Sequence, residues 1–530
     1  MAHTRHLGIS RPISFHVSTR LNNHHNLPPY HHSGDGGSSQ YVWIANSYLF
    51  SSTVPQPLYA QTADIFGRRN PLLVATLLFL LGSGLAGGAR SVTTMIAGRV
   101  IQGLGSAGLY VLPEIILCDI LPPRYRGPYL SAILSTAAIA GTIGPIIGGA
   151  LAQADWRWIF WINLPVVVVG IVCVMFLFRM KYEKDQAWRV ALSRVDFLGN
   201  SIFIPSMISL FFGLIMGGNG AAGYPWNSWQ IILPLVLGIL GWTGFHIHQS
   251  SSICHEPSIP TRLFKHRTST IGFFMIFLVA IVSQTIGLFL PIYLQAVIGV
   301  SPMMSGVYYL PFALGLLILA GAAGAILSKT GLYKPVHWVG WILSAIGAGL
   351  FSTLNANSST GAWVGFQVIA AGGVGFIFTV TLPSTLASLP ESDVAVATGT
   401  YAFLRTFGFV WGVTISSIIF NGQVNAHLET IADPSVRLLL ADGAAYTYAS
   451  GIDGGRMSIN ALQEPSKSQV IKVYVQAIRV IWLFIAGISC LGFIATFIER
   501  QIELRRDNKT KFGLTKGEGV SCRHVTGASL

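Results

Sequence analysis

The sequence predicts an all-α integral membrane protein with about thirteen membrane-spanning helices. Three observations carry this reading. Of 530 residues, 52% are hydrophobic and only 10% are charged, with a mean hydropathy of +0.58; soluble domains carry about 25% charged residues. From Tyr41 onward, apolar runs recur at about the 20-residue length that crosses roughly 30 Å of hydrocarbon. Between them, basic residues fill every second connection, as cytosolic loops do. A soluble oxidoreductase or a nucleic-acid binder would need a different chain. The net charge of +13 lies mostly in alternate loops, where it reports orientation rather than affinity for nucleic acid.

Residues 1–40 differ from the rest. They hold seven of the 14 histidines (His3, His6, His16, His24, His25, His31 and His32), together with Arg5, Arg11 and Arg20 and a single acid, Asp35. They read as a disordered tail, with a metal-binding tail and a transit-like peptide as alternatives. Spans are expected near 41–63, 71–90, 93–118, 128–152, 158–179, 196–217, 229–249, 269–291, 303–327, 335–354, 362–387, 394–420 and 475–498. Arg68/Arg69, Arg124/Arg126, Arg179 to Arg194, Arg262/Lys265/Arg267 and Lys329/Lys334 mark cytosolic connections, and the tail from Glu499 to 530 is again basic. The C-terminus is therefore expected in the cytosol. One cytosolic connection, Ser388 to Asp393, is acidic instead. Residues 421–474 form the long external segment, in which Val436–Ala441 is apolar enough to pack at the mouth of the membrane region. The five cysteines are scattered and show no metal-ligand or disulfide spacing, so neither a metal nor a cofactor is expected.

The loop Ala60 to Arg69 reads A-Q-T-A-D-I-F-G-R-R. Gly67 permits a tight reversal, Arg68 and Arg69 hold the loop in the cytosol, and Asp64 at the membrane edge can accept charge-assisted hydrogen bonds from them. The loop resembles the signature G-x-L-A-D-x-x-G-R-R of the major facilitator superfamily, between spans two and three. Ala60 and Thr62 depart from the pattern; the aspartate, the second glycine and both arginines match it. In the fourteen-span branch of that family one more helix would precede Tyr41. An odd number of spans would also leave the arginine-bearing tail outside, so a misassigned start or first exon is the expected explanation, with an aberrant variant as the alternative.

Charged groups inside spans are functional candidates, because each costs several kcal/mol unless it faces a partner or a wet cavity. Arg99, Gln102, Gly103 and Gly105 lie in G-R-V-I-Q-G-L-G, which resembles the family pattern R-x-x-Q-G-x-G, where the arginine is linked to proton transfer. Snorkelling to the outer surface is the alternative for Arg99. Glu114 is the one carboxylate clearly inside a span; it is either a proton-loading group or a partner of arginines at the cytosolic helix end. Asp119 is expected at the interface, paired with Arg124 or Arg126, forming a gate with Asp64. Arg405 lines a cavity or is paired, with pairing favoured. Asn46, Gln56, Gln284, Gln295 and Gln367 can line a cavity, though each alone more often makes an interhelical hydrogen bond.

Residues Ala140 to Gly149 read A-G-T-I-G-P-I-I-G-G. Ala140, Gly144 and Gly148 make one smooth helix face, and Pro145 removes a backbone bond. With Gly149, this string resembles the antiporter motif of the exporters in the superfamily. D-W-R-W-I-F-W-I-N-L-P (Asp155 to Pro165) resembles the drug:proton antiporter branch. P-I-Y-L-Q (Pro291 to Gln295), Ser301 to Pro311 and Phe403 to Val413 resemble fungal fourteen-span antiporters.

The resemblance, covering roughly residues 40–500, implies an N-terminal bundle (41–180), two linking helices with cytosolic loops (181–268) and a C-terminal bundle (269–498) around a central cavity. It implies a proton-coupled exporter of amphipathic small organic molecules, with Arg99 and Glu114 for the proton step, Asp64, Gly67, Arg68, Arg69 and Asp119 at the cytosolic gate, and Gly144, Pro145, Gly148 and Gly149 biasing export. No phosphate-binding loop with its lysine occurs, so an ion gradient is the expected drive and no enzymatic activity is expected. The alternatives are a siderophore or vacuolar basic amino-acid carrier, and a truncated chain without transport. The expected partners are a small-molecule substrate, protons and the lipid bilayer, with no nucleic acid, and the chain is expected to be a monomer in the plasma membrane, the vacuolar membrane being the alternative.

Overall fold

The computed structural model of the chain describes residues 36–133, 151, 155–176, 188–218, 223–252, 254, 256–441, 443–449 and 459–506. Its main helices are α1 (Gly36–Thr53), α2 (Gln56–Phe66), α3 (Arg69–Gly87), α4 (Val92–Ile120), α5 (Trp158–Phe176), α6 (Phe197–Met216), α7 (Trp229–Ser250), α8 (Arg267–Ala296), α9 (Pro302–Thr330), α10 (Lys334–Phe351), α11 (Thr360–Leu386), α12 (Val394–His427) and α13 (Ser466–Ala495). Among the described residues, β pairing is confined to one isolated bridge, Gly217 to Tyr224. An all-helical solution is what hydrocarbon demands, since a helix satisfies its backbone polar groups internally.

Ten of these helices, α3 to α9 and α11 to α13, are long and apolar enough to cross a membrane. The first expected span, 41–63, is broken: Pro55 separates α1 from α2. The span expected at 335–354 is the 18-residue α10. The span expected at 128–152 lies largely outside the described residues. Local chemistry sets several helix starts. Ser91, Asp196, Ser301 and Ser359 each accept a backbone N–H from the first turn that follows. Gly331, in the left-handed conformation, ends α9.

The outer segment is shorter than the apolar pattern suggests. Helix α12 runs seven residues past the expected end of its span, to His427, and α13 begins at Ser466 rather than 475. Both extensions are polar helix beyond the hydrocarbon, invisible to hydropathy. Within the intervening segment, Val436 and Leu440 are buried in the same core as residues of α8 and α13, which is where the apolar Val436–Ala441 patch was expected to pack.

Helices α1 to α5 form one bundle and α8 to α13 a second, with α6 and α7 packed together between them. Helix α4 is the centre of the first bundle, lying against α1, α2 and α3; α12 is its counterpart, lying against α8 and α13 and also against α2 and α4. Lipid-facing surface is apolar: Val166, Val169 and Phe176 of α5 and Trp229, Leu240 and Ile247 of α7 are all exposed. Inside, close approach depends on small residues. A Cβ on Gly103 would collide with Ser51 and the Tyr48 carbonyl of α1, and one on Gly105 with the Phe79 backbone of α3.

Gly105→Val should therefore prise α3 from α4 and destabilise the bundle by about 1–3 kcal/mol, the usual range for overpacking. Gly84→Val should be tolerated, because a Cβ there meets nothing within 4 Å. Thermal aggregation of the detergent-solubilised variants, followed by size-exclusion chromatography, checks the contrast; equal midpoints would refute it.

Candidate functional site

The signature loop builds a charge clamp. Helix α2 ends at Phe66, Gly67 reverses the chain with φ of 78°, and Arg68 is the residue just before α3. Arg68 is 3% exposed. Its Nη1 donates to Asp64 Oδ1 at 2.8 Å and to the Ala63 carbonyl at 2.6 Å, while its Nε donates to Asp119 Oδ2 at 2.7 Å. One guanidinium thus ties both ends of the α2–α3 turn to the cytosolic end of α4. Arg69 turns away and donates to the Met175 carbonyl near the end of α5, so the two loop arginines do different work.

Asp119 was expected to pair with Arg124 or Arg126; its ion pair is with Arg68. Arg126, buried, donates to the Cys118 and Leu121 carbonyls at 2.7 and 3.0 Å, occupying acceptors that a helix end leaves open. Arg124 crosses to the other bundle. It donates to the Ser328 carbonyl at 2.9 Å and to the Lys329 carbonyl, both in the last turn of α9. A fork of five donors suits such carbonyls.

The two charges assigned to the proton step are not together. Arg99 and Glu114 are 15 residues apart on α4, about 22 Å at 1.5 Å per residue. Arg99 is 2% exposed, which removes the snorkelling alternative. It donates to Gln102 Oε1 at 2.7 Å and to the Ile44 carbonyl at 3.3 Å, and its guanidinium lies 4.1 Å from the Tyr48 ring centroid. Gln102 in turn donates to Ser83, and the Tyr48 hydroxyl bonds Ser106. Among the described residues Arg99 forms no ion pair. The glycines of its motif explain the arrangement: Gly103 lets α1 close enough to offer the Ile44 carbonyl and the Tyr48 ring.

Glu114 pairs across the bundle interface. Arg405 of α12 donates Nη1 to Glu114 Oε1 at 2.7 Å, with the two residues 8% and 4% exposed. The alternative pairing with arginines at the cytosolic helix end is thereby overturned, and Arg405 is paired as favoured. Glu114 Oε2 has no hydrogen-bond partner among the described residues. Nearby, Gln56 of α2 donates to Thr406 at 3.2 Å, and a Cβ on Gly399 of α12 would collide with Ala60. Gly127 meets Gly324 of α9 in the same way. These inter-bundle contacts all lie toward the helix ends that the basic loops place in the cytosol.

A second cytosolic network was not singled out from the sequence. The residues after α13 run as a strap under the C-terminal bundle. Glu499 Oε2 lies 2.8 Å from His337 Nδ1 with both side chains fully buried, and His337 Nε2 lies 3.1 Å from the Thr381 hydroxyl. Leu504 is buried among Leu327, Tyr333 and Val336. Arg124 N–H donates to the Arg505 carbonyl at 3.2 Å, which carries the strap onto the N-terminal bundle. The acidic connection 388–393 now has its reason. Asp393 accepts a bidentate pair from Arg262, and Glu391 lies 3.7 Å from Arg505. An acidic loop among basic ones was the legible signal.

Of the remaining candidates, Gln295 bonds Ser305 and Gln367 the Tyr308 carbonyl, ordinary interhelical links. The antiporter string Gly144, Pro145, Gly148 and Gly149 lies outside the described residues. The W-R-W run after it is described: Trp156 is buried, and Arg157 stacks 4.5 Å from its ring and donates to the Ala89 carbonyl beyond α3.

Comparison with known proteins agrees with this architecture. The family model described as Major Facilitator Superfamily matches residues 26–413. The MFS efflux transporter aclA of Aspergillus oryzae is 43% identical over 502 residues, covering 94% of this chain and 89% of that protein. The efflux pump FUS6 of Gibberella fujikuroi is 42% identical over 480 residues, covering 90% and 85%. Among solved structures, the human organic anion transporter MFSD10 shares the fold, with a TM-score of 0.52 at 13% identity over 91% of this chain and 89% of that one. With its two helical bundles, its signature loop and these relatives, the chain belongs to the Major Facilitator Superfamily and is a multi-pass membrane protein.

Proposed function

We propose that this protein exports amphipathic small organic molecules in exchange for protons, and that the Glu114–Arg405 pair couples the two movements. The observation that carries the reading is the position of that pair: one partner on each bundle, buried, toward the cytosolic helix ends. The efflux relatives support the direction of transport.

The coupling follows from charge. With Glu114 ionised, the pair rewards closure toward the cytosol. A proton arriving from outside neutralises the carboxylate and leaves Arg405 without its counter-charge, so the cytosolic contacts loosen and the bundles rock open. Facing the cytosol, Glu114 releases its proton and substrate loads; closure then re-forms the pair and carries substrate outward. The Asp64–Arg68–Asp119 clamp keeps the N-terminal side of the gate one rigid piece during the rocking. Arg99 with Tyr48 and Gln102 forms a buried polar path toward the outer half. Gly144 to Gly149 bias the cycle toward export. A cationic cargo such as a basic amino acid would need a free acidic subsite, and Glu114, the intramembrane carboxylate, is already neutralised by Arg405. The chain works as a monomer in the plasma membrane.

Two outcomes test this. In proteoliposomes with an imposed pH gradient, Glu114→Gln should abolish gradient-driven dye transport while dye binding persists; transport that still follows the gradient would sink the coupling role. Arg405→Gln strands a buried carboxylate, which costs about 3–5 kcal/mol in the closed state. It should expose the gate, read as faster maleimide labelling of Cys118, which is fully buried at the cytosolic end of α4. Arg124→Ala, which frees the carbonyl end of α9 from the N-terminal bundle, and Leu504→Asp, which lifts the strap from the C-terminal bundle, should raise the same labelling rate by a smaller factor. Unchanged labelling in all three variants would show that these contacts do not hold the gate.

A further inference from the structure

Three metal-ligand side chains, one of them some fifty residues before the other two, converge at the cytosolic ends of the linking helices. Asp196 caps α6, accepting the Gly199 N–H at 2.8 Å. His248, in the last turn of α7, places Nε2 3.0 Å from Asp196 Oδ1. Cys254, just beyond α7, places Sγ 3.5 Å from Asp196 Oδ2. All three ligand atoms lie within 4.8 Å of one another, and the Asp196 and His248 side chains are only 6% and 10% exposed. We propose that Asp196, His248 and Cys254 form a binding site for a zinc-like divalent cation that staples α6 to α7.

The donor set selects the ion. One carboxylate, one imidazole and one thiolate suit a borderline-soft d10 cation; calcium and magnesium want oxygen ligands throughout, and a single sulfur is poor for copper(I). The geometry is near what such an ion needs. With Zn–S about 2.3 Å, and Zn–N and Zn–O about 2.0–2.2 Å, tetrahedral donors sit roughly 3.3–3.7 Å apart. His248 approaches Asp196 Oδ1 and Cys254 approaches Oδ2, and with one donor atom from each residue no separation exceeds 4.8 Å, so side-chain rotations of about 1 Å bring the three donors to that spacing. Solvent supplies the fourth position.

Binding is a proton exchange. The thiol proton leaves to solvent, the imidazole shifts its proton from Nε2 to Nδ1, and the cation takes the space between the three atoms. Gln249 supports the carboxylate from outside: its Nε2 bonds Asp196 Oδ2, while its Oε1 accepts the Ile259 N–H and so orders the connection that follows. The basic residues Arg262, Lys265 and Arg267 put this connection in the cytosol, where a thiol stays reduced and free to ligate. No metal spacing is visible along the chain because one ligand precedes the other two by an entire helical hairpin.

Cobalt(II) is the probe, since a thiolate ligand gives it a near-ultraviolet charge-transfer band that the histidine-rich N-terminus cannot supply. Full-length protein in nanodiscs, stripped with a chelator, should take up cobalt(II) with this band saturating at one equivalent and collapsing when zinc(II) is added. Cys254→Ser and His248→Gln each keep a hydrogen-bond donor for Asp196, so a mere hydrogen-bonding hub survives them. The first should lose the band and the second should weaken binding by about tenfold or more. Cys173→Ser and Cys490→Ser should leave the band intact. No saturable band, or one that survives Cys254→Ser, overturns the proposal.

Discussion

A carboxylate in hydrocarbon is costly without a counter-charge, and for Glu114 that counter-charge comes from across the boundary between two bundles. Had Glu114 found its counter-charge on its own helix, the two halves would be indifferent to each other's position. Because Arg405 comes from α12, the favourable arrangement of either charge is also a particular arrangement of the bundles. The rest of the cytosolic face works to the same end with cheaper contacts. Arg124 fills the carbonyl end of α9, Gln56 reaches Thr406, and small residues let the helices touch. Arg68 is paired within its own bundle, so it stiffens one half without joining the two.

Helix α4 shows how packing and charge are written into one segment. Gly103 and Gly105 look like packing residues, and they are; but the approach of α1 that Gly103 permits is also what surrounds Arg99 with the Ile44 carbonyl and the Tyr48 ring. Arg99 is tolerated in the bundle because its donors are spent on neutral acceptors, which do not discharge it. It therefore stays a positive group on the outer half of the same helix whose inner half carries Glu114. The separation of about 22 Å keeps the two from forming one site.

The fold was legible because hydrophobic length and the placement of basic residues are one-dimensional signals. Helix type and most spans followed from them, and the Asp64–Arg68 ion pair lies within a short string whose residues are neighbours in sequence. What was not legible depended on pairs far apart in the chain. Asp119 had two arginines within seven residues, yet it chose Arg68, because those arginines point into helix-end carbonyls. Glu114 to Arg405 spans 291 residues, and no local pattern names that partner. His337 and Glu499 are each unremarkable in sequence and become a buried pair only when the strap folds back. The ends of α12 and α13 were missed for a simpler reason: helix continues where hydrophobicity stops.

Lipid tails are as apolar as leucine, so helices in a bilayer gain little from burying apolar surface against each other. Two bundles in contact are held by close packing and by a few polar links, and removing one link is a large fraction of the whole. The linking helices temper this. Phe203 and Phe211 of α6 pack in one cluster with Phe50 of α1 and with Phe403 and Phe407 of α12. Stacked and tilted rings slide with small changes in energy, whereas an ion pair breaks over a short distance. In the proposed cycle the aromatic cluster keeps the halves associated while they rock, and the choice of state is left to the charged links on the cytosolic side. A few polar links give one proton the leverage that the proposed coupling needs; a broad complementary surface would not.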